Sequence, residues 1–180
     1  MERPYHHGDL ARAALDAAEA LLVEDGPDAV TMRAVAVRAG VTHRALYRWH
    51  PDRDALLSGL AARGFERLAR AVGRADGAEA FVSAYLAQAL AEPALYRLAM
   101  SRQGAMTNDH PALRDARDAV VRACLRTFGE GDADARDDVV ALWSLLHGAV
   151  TLWEAGLIAA RDEAAFAAYA AGLARRFRPL

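Results

Sequence analysis

The sequence predicts an all-α protein, with an N-terminal three-helix domain that contains a helix-turn-helix and a C-terminal helical bundle. Two observations predict this class. Apolar side chains recur every three or four residues along most of the 180-residue chain, and no stretch alternates apolar with polar residues as a strand does. Glycine, proline and small polar residues interrupt the pattern at residues 25–27, 73–77, 92–93, 104–111 and 129–132, where we expect helices to end.

The first helix is predicted to begin at Asp9, whose side chain can accept a hydrogen bond from the first turn. It carries one apolar stripe at helical spacing, formed by Leu10, Ala14, Ala17, Ala18, Leu21 and Leu22. The Asp25-Gly26-Pro27 cluster ends it. We expect this helix to pack over the next two and to carry little chemistry itself.

Residues 31–57 predict two short helices joined by a tight turn, followed by the start of a third. Thr31 can cap the first helix, and Gly40 supplies the positive φ that a helix end requires. Thr42 can cap a second helix over residues 43–49, which is only about two turns long. A helix that short needs its neighbours to hold it. This arrangement is typical of a helix-turn-helix, whose second helix enters the major groove of DNA.

The second of these helices is predicted to have distinct inner and outer faces. Leu46 points inward with Val41, and the outer face carries His43, Arg44, Tyr47 and Arg48, a set that we call the recognition strip. Arginine can bind guanine O6 and N7 in a fork, and a tyrosine hydroxyl can donate to a phosphate. Asp52 is expected to cap the following helix, where backbone N–H groups and Arg53 would suit a DNA phosphate.

Residues 31–57 resemble the DNA-binding domain of the TetR family of bacterial transcriptional regulators. The matching positions are Thr31, Arg33, Val35, Ala36, Ala39, Gly40, Val41, Thr42, Leu46, Tyr47, Trp49, Asp54, Leu56 and Leu57. Three positions depart from the family pattern. His50 stands where the family has a buried Phe, so that Trp49 is expected to fill the core. Arg53 replaces the phosphate-binding Lys, and Arg44 replaces a small residue.

The resemblance implies a DNA-binding surface made of eight residues: Thr31, Arg33, Thr42, His43, Arg44, Tyr47, Arg48 and Arg53. Arg44 and His43 are predicted to contact base edges, and Arg48 either bases or phosphates. Phosphate contacts are predicted for Tyr47, Thr42, Thr31 and Arg53. The predicted DNA-binding domain is residues 1–51, and residues 52–180 form a ligand-binding and dimerisation domain that begins with a long connecting helix over residues 52–72.

The helix predicted over residues 134–160 is apolar nearly all round and would extend roughly 40 Å, so it needs partners on two faces. With the final helix over residues 162–177 it looks like the helix pair that forms the four-helix dimer interface in TetR-type regulators. The residues predicted at that interface are Leu142, Leu145, Ala149, Trp153, Phe166, Tyr169 and Leu173. The run Trp143-x-x-x-His147-Gly148 also resembles the signature of one C-terminal domain class of the family.

Aromatic and sulphur-containing residues recur through the C-terminal part and could contact a small, apolar or aromatic effector. They are Phe65, Phe81, Tyr85, Met100, Met106, Cys124, Trp143 and His147. Helical bundles also need such residues as core, and His147 could equally be a buried histidine bonded to a neighbour. Both interpretations stay open at this point. The resemblance implies a homodimeric repressor that binds a palindromic operator and is released by the effector.

Composition excludes several other classes of protein. The net charge of −2 is not that of a non-specific DNA binder. Locally the balance is basic, because residues 31–53 contain five arginines and a single acidic residue. No catalytic or phosphate-binding motif occurs and no metal or cofactor site is predicted. No apolar run approaches a membrane span, and the lone cysteine fits a reducing cytoplasm. The alternative is a helical small-molecule-binding protein or enzyme that has lost DNA binding.

Overall fold

The computed structural model describes residues 7–102, 110–128 and 135–176. Those residues form helices and connecting turns, and no strand occurs among them. The helices are α1 (His7–Asp25), α2 (Met32–Arg38), α3 (His43–Tyr47), α4 (Arg53–Val72), α5 (Ala78–Ala91), α6 (Pro93–Ser101), α7 (Pro111–Phe128), α8 (Ala135–Glu154) and α9 (Glu163–Arg176), with a 3₁₀ turn at Pro27–Ala29. Met106, with the rest of residues 104–109 in one predicted break, and the whole predicted break at 129–132 lie outside the described residues. None of the described helices is long and apolar enough to cross a membrane.

The chain packs as two compact units that share helices α4 and α7. The first unit contains residues 1–64 and 94–115, and the second contains residues 65–93 and 116–180. The unit that holds the helix-turn-helix therefore includes the first half of α4 and nearly all of α6, beyond the boundary predicted at residue 51. The assignment of function to residues 1–51 and 52–180 stays a prediction.

In the first unit, α1, α2 and α3 pack on one another. Their apolar stripes, that of α4 and Val30 in the turn before α2 supply buried side chains: Ala18, Leu22, Val30, Val35, Leu46, Leu56 and Leu60. α1 begins at His7, ahead of the predicted cap Asp9. At the other end of this unit α6 approaches α4 closely, because a Cβ on Gly64 would lie 3.2 Å from Ala99 Cβ and from the Leu95 carbonyl oxygen.

In the second unit, α5, α8 and α9 pack on one another around the buried side chains of Phe81, Tyr85, Leu86, Leu146, Val150 and Phe166. Aromatic pairs extend this core. Phe65 meets Trp143 edge-on at 6.2 Å between ring centroids, and Phe81 meets Phe128 edge-on at 5.4 Å.

Helix α8 is shorter than predicted, because it ends at Glu154 instead of near residue 160. Gly156 has a φ of +73°, and the backbone N–H groups of Gly156 and Leu157 donate to the carbonyls of Trp153 and Leu152 at 2.9 Å each. This pair of bonds is a Schellman motif, which stops a helix where a glycine adopts the left-handed conformation. The 20 residues of α8 therefore extend about 30 Å.

Candidate nucleic-acid interface

Two threonines start the helices of the predicted helix-turn-helix, as their positions in the sequence indicated. Thr31 Oγ1 accepts from the Ala34 N–H at 3.1 Å, and Thr42 Oγ1 accepts from the Ala45 N–H at 3.2 Å. Both threonines are exposed. A hydroxyl group that accepts in a cap still carries a hydrogen to donate. Each threonine can therefore cap its helix and donate to a phosphate oxygen at the same time.

The turn between α2 and α3 is closed by Gly40, which has a φ of +66°. The Gly40 N–H donates to the Val37 carbonyl at 3.2 Å, and the Val41 N–H donates to the Ala36 carbonyl at 3.0 Å. These bonds form a second Schellman motif. Val41 is only half-buried behind the turn, whereas the sequence predicted that it points inward with Leu46.

Helix α3 exposes the whole recognition strip and buries Leu46, which lies between Arg44 and Tyr47 in the sequence. Leu46 has no exposed surface, whereas His43, Arg44, Tyr47 and Arg48 are exposed. The His43 and Tyr47 rings meet edge-on with centroids 4.8 Å apart, which orients two members of the strip. The helix ends at Tyr47, with Arg48 as its C-cap, and is two residues shorter than predicted.

The core behind α3 differs from the prediction. His50 is buried at 9% exposure, and Trp49 is 43% exposed, so Trp49 does not fill the core in place of the family's Phe. The backbone explains this choice, because the N–H groups of Trp49 and His50 both donate to the Leu46 carbonyl and continue the helical turn. The position facing the core is then residue 50, whatever its polarity. Trp49 is an exposed aromatic side chain beside the strip that sequence reasoning missed.

His50 places a polar ring in this apolar position, which lowers the stability of the fold. Its Nε2 is buried and has no hydrogen-bond partner in the described part of the chain. Burial lowers the pKa of the imidazole, because a protonated ring would lose its hydration without gaining a partner. His50 is therefore held neutral behind the recognition helix.

Arg53 is bonded within the chain, which its predicted phosphate contact did not anticipate. Its Nε donates to the Val30 carbonyl at 2.8 Å, and its Nη2 donates to the Pro27 carbonyl at 2.6 Å. These bonds tie the first turn of α4 to the backbone that leads into α2. The predicted cap of α4 is present, since Asp52 Oδ1 accepts from the Ala55 N–H at 2.7 Å.

The arginines of this surface fall into two groups. Arg38 is paired with Glu24: its Nη1 and Nη2 each donate to one carboxylate oxygen at 2.5 Å, and this pairing lowers the pKa of Glu24. Arg33, Arg44 and Arg48 are exposed and form no ion pair or side-chain hydrogen bond with another described residue. Three cationic side chains are thus available to a polyanion on the side of α2 and α3 that faces solvent.

The residues predicted to contact an effector lie mostly in packed cores. Phe65, Phe81, Tyr85 and Cys124 are buried in the second unit, and Met100 is buried in the first. Burial raises the pKa of the Cys124 thiol to about 12. Only Trp143 and His147 remain partly exposed among those described, and both lie on α8. Trp143 Nε1 is a buried donor without a described partner, and burial lowers the pKa of His147.

Three of the residues predicted at a dimer interface lie in the core of their own chain. Leu142, Ala149 and Phe166 are buried, and the Phe166 ring stacks on Trp153 with centroids 4.7 Å apart. Tyr169 is exposed, and Leu145, Trp153 and Leu173 are partly exposed. Exposed apolar side chains that the prediction missed are Val140, Leu152 and Leu157, at 62%, 45% and 74% exposure. When a helix is apolar nearly all round, its sequence does not indicate which face packs against its own chain.

Sequence comparison finds two family models along the chain. Residues 14–60 match the model described as bacterial regulatory proteins, tetR family, and residues 78–175 match the model described as tetracyclin repressor-like, C-terminal domain. The chain is also 50% identical over 54 residues to the HTH-type transcriptional repressor KstR of Rhodococcus jostii (strain RHA1). That match covers 30% of this chain and 26% of the repressor, so the chain matches about a quarter of that relative's length.

Solved structures extend the similarity over nearly the whole chain. A protein of unknown function from Rhodococcus sp. RHA1 is 30% identical, with a TM-score of 0.80 over 97% of this chain and 98% of that one. A TetR-family transcriptional regulator from Streptomyces coelicolor shares the fold at 23% identity, with a TM-score of 0.68 over 95% of this chain and 96% of that one.

Proposed function

The chain belongs to the TetR family of bacterial transcriptional regulators, and from that premise we propose that it is a homodimeric repressor that binds a palindromic operator. One observation carries the proposal: Arg33, Arg44 and Arg48 stand exposed around capped helices, with no anionic partner among the described residues. A surface of unpaired arginines beside two threonine hydroxyls suits a DNA backbone and its base edges.

Within this surface we assign base contacts to Arg44 and His43, and base or phosphate contacts to Arg48. Tyr47, Thr31 and Thr42 are assigned to phosphates, because each offers a hydroxyl donor at the rim of α2 or α3. Arg53 is assigned a structural role, in which it positions the first turn of α4. Trp49 adds an exposed indole beside the strip.

The test is selection of bound sequences from a random pool of double-stranded DNA by the purified protein. We expect enrichment of an inverted repeat whose half-sites are centred about 34–36 Å apart, which is one turn of the double helix. Enrichment of an asymmetric site, or of none, would overturn the proposal. The repressor assignment then needs a reporter gene behind the selected site, whose expression should fall when the protein is present.

We further infer that two copies associate through the outward faces of α8 and α9. The supporting observation is the set of exposed apolar side chains there: Val140, Leu152 and Tyr169. Val140→Glu is expected to give monomers in size-exclusion chromatography with light scattering, because a charge would be buried without a partner. Val23→Glu is the matched control, since Val23 on α1 is 65% exposed and Val140 is 62% exposed. If Val140→Glu forms a dimer as stable as that of the control, the dimer interface does not include this face of α8.

An effector is proposed to contact Trp143 and His147, the two members of the predicted set that are partly exposed. The unpartnered Trp143 Nε1–H favours a ligand with an apolar body and one acceptor oxygen. A thermal-shift screen of such compounds tests this: a compound that raises the unfolding temperature of the wild type should lose its effect in Trp143→Phe. An undiminished shift in the variant would exclude Trp143 as a contact.

The alternative, a small-molecule-binding protein or enzyme without DNA binding, is disfavoured by the exposed recognition strip. We propose that the protein is not an enzyme and that it acts in the cytoplasm, where a bacterial operator lies. Among the residues described, no group of three or more His, Cys, Asp or Glu side chains is arranged to hold a metal ion.

A further inference from the structure

His50 lies at the junction between the recognition helix α3 and the rest of the first unit. Its backbone N–H donates to the Leu46 carbonyl in α3, and α4 begins three residues later, at Arg53. Its ring packs towards α4, because Cε1 lies 3.6 Å from where a Cβ on Gly59 would be. Leu15 of α1 lies 3.1 Å from the same point. The imidazole therefore sits where α1, α3 and α4 come together.

Helix α3 depends on this junction for its position. It has five residues, which is far too few for a helix to be stable alone, and Leu46 is the buried side chain among them. On either side of the helix, Val41 is only half-buried and Trp49 is exposed. His50 is thus the second buried side chain that anchors α3. If the imidazole left the junction, a single anchor would remain.

The junction offers a protonated imidazole no anionic partner. Burial is the cause that lowers the pKa of His50, and no neighbouring charge contributes to the shift. Asp16 and Glu19 both accept from Arg63, and Asp52 caps α4. The charged or titratable side chains within about one helical turn of the ring's packing contacts are Arg12, Asp16, Glu19, Tyr47, Arg48, Asp52, Arg53, Asp54 and Arg63.

We propose that proton uptake by His50 is a switch that releases α3 from the first unit and weakens operator binding at mildly acidic pH. The inference rests on the proposed function, because its output is operator affinity. A protonated ring with no anionic partner is stable only in water, so the proton binds the state in which the imidazole has left the junction. Acid therefore populates a released state, in which the recognition strip is no longer held in place for DNA.

The size of the effect follows from the pKa of a solvated histidine, which is about 6.5. Because the folded-state pKa of His50 is lowered, the anchored state is fully favoured above about pH 6.5 and loses stability as the pH falls below it. Between pH 7.5 and pH 5.5 the ratio of released to anchored molecules rises about tenfold. Tenfold is therefore the upper limit for the loss of operator affinity that this group can cause.

Fluorescence anisotropy with the selected duplex tests the switch on the full-length protein, at pH 7.5 and pH 5.5 and at constant ionic strength. From the higher to the lower pH, the operator affinity of the wild type should fall about three- to tenfold more than that of His50→Phe. Every other histidine is present in both proteins. The titration of His43 on the recognition strip therefore cancels in the comparison.

His50→Gln is the matched control for polarity. Glutamine places a buried amide in the junction, but it takes up no proton in this pH range. It should bind the operator more weakly than His50→Phe at both pH values, with the same small dependence on pH. If the larger ring of phenylalanine does not fit beside Gly59 and the variant fails to fold, His50→Leu takes its place.

Hydrogen exchange in the free protein separates the switch from the proposed function. Protection factors correct for the intrinsic dependence of exchange on pH. In the wild type, those of α3 should fall at least about threefold between pH 7.5 and pH 5.5, and in both variants they should stay constant. The protection of α5 and α8 in the second unit should not change. If the wild type binds no duplex, the proposed function fails and exchange alone decides the switch.

Four results would overturn the switch. An equal fall in affinity in the wild type and in His50→Phe would assign the pH dependence to other groups. A fall in His50→Gln as large as that of the wild type would mean that protonation of residue 50 is not the cause. Equal loss of protection in α3, α5 and α8 would mean that acid unfolds the whole chain. Unchanged protection in α3 would overturn the switch even if the wild type binds its operator.

Discussion

Replacing His50 with phenylalanine should stabilise the free protein. The buried Nε2 of His50 has no described partner, and an unsatisfied buried polar group costs about 1–3 kcal/mol. Phenylalanine removes this cost and adds apolar contact. Its larger ring must find room, because His50 Cε1 already lies 3.6 Å from where a Cβ on Gly59 would be, and overpacking offsets part of the gain. We expect a net gain of about 1 kcal/mol at pH 7, measured by urea unfolding.

The gain should grow as the pH falls. Burial lowers the folded-state pKa of His50, so below about pH 6.5 the unfolded chain takes up a proton that the folded chain refuses. The wild type therefore loses stability on acidification by up to about 1.4 kcal/mol per pH unit from this group, and the variant does not. His43→Phe is the control: His43 is exposed, so its replacement should leave the stability of the free protein nearly unchanged at pH 7.

The difference in unfolding free energy between His50→Phe and the wild type should thus widen between pH 7 and pH 5.5. A difference that stays constant over this range would show that His50 titrates alike in both states. A variant less stable than the wild type at pH 7 would show that the ring does not fit. Either result would refute the account of the core behind α3.

Two further predictions concern exposed and buried side chains. Arg44→Ala should cost roughly 1–3 kcal/mol on the selected operator and relax sequence preference at one position, as measured by competition with point-substituted duplexes. Arg33→Ala, on the helix that crosses the DNA backbone, should instead weaken all duplexes alike, and equal effects of both changes on specificity would contradict these roles. Cys124, buried and with a thiol pKa of about 12, should resist a disulfide reagent at pH 8 until the protein is unfolded. Rapid labelling of the folded protein would contradict that burial.

Several helix ends were predicted correctly from local capping chemistry. Thr31, Thr42 and Asp52 accept from the N–H group three residues ahead, and Gly40 has the positive φ expected of it. Each of these depends on one residue and its next few neighbours. Gly156 uses the same chemistry as Gly40, and the predicted end of α8 near residue 160 missed it because apolar residues continue beyond the glycine.

What could not be predicted depends on contacts between distant residues. Arg53 stands where a phosphate contact was expected, but two of its nitrogens are taken by carbonyls 23 and 26 residues earlier in the chain. Likewise, hydrophobicity favoured Trp49 over His50 for the core, whereas helix geometry directs residue 50 inward. Hydrophobicity ranks residue types, and the backbone decides which position is offered to the core.

The same distinction applies to the proposed dimer interface. α8 is apolar nearly all round, so its composition predicts two partners without saying which face each one takes. Burial assigns Leu142, Leu146 and Val150 to its own chain and leaves Val140 and Leu152 outward. These two residues are twelve positions apart, or about 18 Å along the helix, and a Cβ added at Gly148 between them would meet no atom within 4 Å. The outward face between these two residues also carries the exposed Ser144 and Thr151 and has no side chain at Gly148, which leaves room for a second helix and agrees with the proposed dimer.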